Sequence, residues 1–126
     1  MANGTIAFDT LQTSGQITGT AKSVDTDYVV NGSAKAFYRG TSDITIEKSL
    51  NIDSGTDNGT GNFTYNFTNN MSDTAYAPIC SAYSGVDKIV TLSSPATSSM
   101  TMEMFTANTG ANVDGTTKSA VFGDLA

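Results

Sequence analysis

The sequence predicts an all-β, antiparallel domain, and three observations predict it. Apolar and polar residues alternate with a period of two in short runs such as Ile44-Thr45-Ile46-Glu47 and Phe63-Thr64-Tyr65-Asn66-Phe67. Between them, Asp57-Asn58-Gly59-Thr60-Gly61 supplies residues that tolerate the positive φ angles of tight hairpins. Twelve glycines, two prolines and abundant Thr and Ser disfavour long helices. The expected architecture is an antiparallel β-sandwich or jelly-roll-like domain over residues 34–126, preceded by an extended N-terminal arm over residues 1–33.

Along the chain, residues 5–11 read as an extended strand, whereas residues 12–27 are polar, lack helical spacing and contain few anchors for a core. That stretch is read as an arm, ordered by a neighbouring subunit or another protein. The run from Ile44 to Ile52 and the run from Phe63 to Phe67 are read as the two strands of one hairpin, turning at Asp57 to Gly61. Residues 75–83 alternate again, with Tyr76, Pro78, Cys80 and Ala82 on one face, and Pro78 points to a sheet edge. A turn at Ser84-Gly85-Val86-Asp87 leads into a strand at Lys88 to Leu92. The segment from Met100 to Phe105 puts three methionines on one face. A polar loop over residues 108–117 precedes a last strand at Ser119 to Val121 and Phe122.

Large aliphatic residues are scarce: leucine occurs only at positions 11, 50, 92 and 125, so aromatics and methionines must supply much of the core. For Met100, Met102 and Met104, packing inside the subunit is the first account. A subunit interface is the second, because flexible polarisable side chains fill an axis shared by several chains. A core this thin favours oligomerisation.

Lys and Arg number 6 against 12 acidic residues, a net charge of -6, and the cations are scattered in sequence. Nucleic acid is a poor partner for such a chain, since phosphate binding needs clustered cations. No apolar stretch approaches the roughly 20 residues of a membrane helix, and the start lacks the basic and apolar regions of a secretory signal, so membrane insertion and secretion are not expected. The Asn-x-Ser/Thr sequons are accordingly given no weight. Cys80 is the one cysteine, read as a buried thiol.

The chain has no histidine, which removes Ser-His-Asp and Cys-His catalysis and histidine-ligated metals. No cofactor or metal is expected. Asp53 to Gly59 lacks the alternating ligand positions of an EF-hand and is read as an Asx-rich turn. Glu47 and Glu103 are the carboxylates a glycosidase reading would use, but each is more simply an outward residue of an alternating strand. No catalytic residue is therefore assigned. Tyr38, Tyr65 and Tyr83 are candidates to face a ligand, because an exposed tyrosine can stack on the apolar face of a sugar.

Three stretches carry a resemblance: Ser33-Ala-Lys-Ala-Phe-Tyr38, the run LNIDSGTDNGTGNFTYNF from Leu50 to Phe67, and Met71-Ser-Asp73 followed by Ala75-Tyr76-Ala77. Together they resemble a module of small virion and tail-fibre-like proteins of tailed bacteriophages of marine and cyanobacterial hosts. In that module an Ala-Lys-Ala-Trp motif, a Thr-Asp-Asn-Gly-Thr-Gly-Asp-Tyr-Thr turn and a Met-x-Asp-x-x-Tyr-Ala segment follow one another. Here Phe37 replaces the tryptophan and Asn62-Phe63 replaces Asp-Tyr, which keeps the strand pattern. The resemblance spans residues 33–77 and implies a non-enzymatic virion structural protein, assembled in the host cytoplasm and exposed on the particle surface. It further implies a homotrimeric tail-fibre or receptor-binding component of host adsorption, with other virion proteins as partners of the arm and a host surface glycan or protein as receptor. A capsid decoration or head-fibre protein is the alternative, and a glycan-degrading virion enzyme a distant third.

Overall fold

A computed structural model describes residues 10–13, 22–25, 30, 32–83 and 87–126. The chain falls into two units, Met1–Ser33 and Ala34–Ala126. In the first, β1 (Thr10–Thr13) pairs antiparallel with β2 (Lys22–Asp25), Thr10 opposite Asp25. The sequence reading has no strand within residues 12–27. A ladder of backbone hydrogen bonds needs no apolar side chains, so a polar run can pair without showing the alternating pattern. The rest of the expected arm, and residues 84–86 of the expected turn, lie outside the described residues.

The second unit is all-β, with eight antiparallel strands: β3 (Ala36–Gly40), β4 (Ile46–Leu50), β5 (Ile52–Gly59), β6 (Asn62–Phe67), β7 (Ala77–Tyr83), β8 (Lys88–Pro95), β9 (Ser99–Thr106) and β10 (Thr116–Phe122). They form two four-stranded sheets, ordered β4-β3-β10-β7 and β5-β6-β9-β8. Pro78 sits on β7, an edge strand, where its missing N–H breaks no central ladder.

The boundary between β4 and β5 corrects the sequence reading. Ile44 to Ile52 is not one strand: Asn51 takes a φ of 55°, and the chain passes there from the first sheet to the second. Asn tolerates that left-handed conformation, and its side chain secures the corner. Asn51 Nδ2 donates to the Asn69 carbonyl at 3.0 Å, and Asn51 Oδ1 accepts from the Asn69 N–H at 2.7 Å. The hairpin partner of β6 is thus β5, which runs through Asp57 to Gly59, and the turn shrinks to Thr60-Gly61.

Alternation along the strands puts Tyr38 and Val121 from the first sheet, and Phe63, Tyr65, Met100, Met102 and Met104 from the second, in one buried cluster. The Tyr38 and Tyr65 rings stack with centroids 3.7 Å apart, joining the two sheets. Each fully buried methionine contributes about 1.5 to 3 kcal/mol of apolar burial, which makes up for the shortage of leucine.

Candidate functional site

The outer face of the β4-β3-β10-β7 sheet carries the most unusual surface of residues 34–126. Tyr38, Thr117, Ser119 and Val121 point inward, so their neighbours along each strand point out. Strand register then lines up two rows across the sheet. One is apolar: Leu50 opposite Phe37, Phe37 opposite Ala120, Ala120 opposite Ile79. The other, two residues along, is basic: Lys48 opposite Arg39, Arg39 opposite Lys118, Lys118 opposite Ser81. Of the six exposed large apolar or aromatic side chains described in residues 34–126, four lie on this face: Phe37, Leu50, Ile79 (67% exposed) and Tyr83 (49%).

Three of the chain's six cations therefore share one row of an acidic protein. Like charges set directly opposite one another destabilise a sheet, so the row is not a product of strand pairing. Tyr83 covers part of it: Lys118 Nζ lies 4.1 Å and the Arg39 guanidinium 4.9 Å from the ring centroid. A β-bulge opposite Arg39 and Gly40 adds Glu47 to this face, where its Oε2 meets Arg39 Nε at 2.6 Å. Lys48 has no ion-pair partner among the described residues. At the Leu50 end the apolar row runs into a groove of about 320 Å³ that also includes Ala34 and Leu125.

The other sheet presents a different outer face. Thr64 and Thr101 hydroxyls bond at 2.9 Å, Asn66 Nδ2 donates to Ser54 at 3.0 Å, and Asn58 Nδ2 donates to Asn62 at 3.0 Å and to Thr64 at 2.8 Å. Its polar side chains satisfy one another, while at one end Ile89, 41% exposed, lies opposite Phe105 on the same face.

The candidate residues from the sequence distribute unevenly. Tyr83 lies on the basic and apolar face, as a ligand-facing role requires. Tyr38 and Tyr65 do not face a ligand: they are 2% and 0% exposed, because each shares strand parity with core residues. Tyr65 Oη bonds the Thr117 hydroxyl at 2.8 Å, and burial pushes both phenols above their ordinary range. Met100, Met102 and Met104 are wholly buried within their own chain and are not available to a subunit interface.

Glu47 and Glu103 belong to the outer faces of different sheets, Glu103 accepting from Ser93 at 3.0 Å, and so cannot flank one glycosidic bond. Asp57 lies in β5, its Oδ1 accepting from the Gly59 N–H at 2.8 Å. Cys80 is half-buried, and burial raises its thiol pKa, offset in part by a contact with Ser119 Oγ. The apolar and basic rows were missed from sequence. The available signal was parity: Arg39 pointing outward takes Phe37 with it.

Fold and face together define an all-β unit of two four-stranded antiparallel sheets over residues 34–126, one of which carries an apolar and a basic row on its outer surface. Compared with family models, curated proteins and solved structures, the chain returns no match.

Proposed function

We propose that this chain is a non-enzymatic structural protein of a bacteriophage virion, acting in host adsorption as a homotrimeric tail-fibre or receptor-binding component. Residues 34–126 form a β-sandwich that faces the host, and residues 1–33 form an arm that attaches to other virion proteins. The observation that carries this reading is the outer face of the β4-β3-β10-β7 sheet. Exposed Phe37, Leu50, Ile79 and Tyr83 beside Lys48, Arg39 and Lys118 make a contact surface that gathers four of the six exposed large apolar or aromatic side chains described in residues 34–126. The resemblance of residues 33–77 to tail-fibre-like proteins supports the setting.

The test combines the solution mass of the purified protein, by light scattering, with binding of labelled protein to intact host cells. A stable trimer that binds cells is expected. Protein that ignores cells but binds capsids stripped of it overturns adsorption and promotes capsid decoration.

A further inference from the structure

The two rows on the outer face run in the same direction, across the strands, and differ in chemistry. Adjacent strands lie about 4.8 Å apart, so the rows span about 14 Å, and two residues along a strand separate them by about 7 Å. The surface is flat, apolar along one line and cationic along the other, with Tyr83 held over the cations at one end. We infer that this face binds an anionic polysaccharide lying across the strands, an inference that rests on the adsorption reading and specifies its receptor.

Charge complementarity is the first argument. Lys48, Arg39 and Lys118 face a single carboxylate, Glu47, so the face is net positive on a chain of net charge -6. Sugar carboxylates accept charge-assisted hydrogen bonds from Lys48 and Lys118, while the C–H faces of the rings cover Phe37, Leu50 and Ile79 and stack on Tyr83. A bound anion also relieves the repulsion between cations placed directly opposite one another.

Size is the second argument. The rows run about 14 Å and lie about 7 Å apart, so one extended chain of sugar rings can touch both. Peptides gain affinity by adding to a sheet edge, whereas this surface is a face whose backbone groups are already paired. Nucleic acid is disfavoured by the net charge, since three cations release few counterions against twelve acidic residues.

The experiment titrates the purified full chain with polygalacturonate oligomers by calorimetry, with neutral dextran and a single-stranded oligonucleotide as comparison probes. Binding to polygalacturonate that weakens with salt is expected. Lys48→Gln and Lys118→Gln each lower affinity at least about tenfold, as loss of a charged hydrogen bond does. Lys88→Gln leaves it unchanged, since Lys88 bonds the Asp114 carbonyl away from this face. Circular dichroism confirms that all three variants fold.

No binding, equal affinity for dextran, insensitivity to Lys48→Gln and Lys118→Gln, or preference for the oligonucleotide each overturns the inference. Cell binding separates the two readings. Protein that binds cells equally well with and without Lys118→Gln keeps adsorption and loses the polysaccharide site; protein that binds polygalacturonate but not cells loses adsorption alone.

Discussion

Tyr65 of β6 reaches through the core to hydrogen-bond Thr117 of β10, its hydroxyl 2.8 Å from Thr117 Oγ1, so the two sheets are joined by a polar contact as well as by packing. Both residues are wholly buried. Tyr65→Phe leaves the buried Thr117 hydroxyl without its Tyr65 partner and is expected to cost about 1 to 3 kcal/mol in urea unfolding. Adding Thr117→Val removes that hydroxyl, so the double variant recovers part of the loss. A double variant that is less stable by the sum of the two single losses would sink this account.

The stacked pair of tyrosines sets an alkaline limit on stability. Burial is the main cause raising the Tyr38 phenol above its ordinary 10.0, with the neighbouring Tyr65 adding to it, and burial raises Tyr65 as well. The folded protein therefore keeps these protons after the unfolded chain has lost them. The tyrosines' contribution is full below about pH 10 and falls as pH rises beyond it, by up to about 1.4 kcal/mol per pH unit for Tyr38, with Tyr65 acting in the same direction. Cys80, raised by burial from 9.0, starts the decline somewhat earlier. Urea midpoints measured from pH 8 to 11 should show the fall, and Tyr38→Phe should make it shallower.

Most strands were legible because the alternating signal was strong: β6, β7 and β9 carry apolar residues at every second position, and the edge position of β7 followed from Pro78. The corner at Asn51 was not legible, because the bulge at β4 shifts parity. Ile46 packs against the core and Leu50, an even number of positions on, faces solvent, so Ile46 to Ile52 mimics one continuous strand. The outer face of the first sheet was hidden for another reason. Its rows assemble residues from four strands, and register between distant segments is a tertiary property that no local pattern encodes.

The methionine row is a core device, and its substitutions should behave accordingly. Met102 faces Phe63 across the β6–β9 ladder and is fully buried. Met102→Ala is expected to cost about 2 to 5 kcal/mol, and Met102→Leu, which keeps the volume, less than about 1.5 kcal/mol. Light scattering on Met102→Leu should give the same mass as the parent protein, since the side chain lies inside one chain. A changed mass would return the row to an interface.

The hairpin between β5 and β6 depends on Gly61, which ties three segments together. Its φ of 69° lies in the left-handed region, its N–H donates to Asp114 Oδ1 at 2.7 Å, and its carbonyl accepts from the Met104 N–H at 2.7 Å. A Cβ at this position would collide with the Met104 carbonyl oxygen, which is backbone and cannot swing away. Gly61→Ala therefore combines an unfavourable φ with a clash and should cost about 2 kcal/mol or more. Gly59 provides the control. Its φ of 121° is also positive, but the space around it is open, so Gly59→Ala bears conformational strain without the clash. Thermal unfolding of the two variants should rank Gly61→Ala below Gly59→Ala. The reverse order would mean that backbone conformation, not close approach to β9, governs this turn.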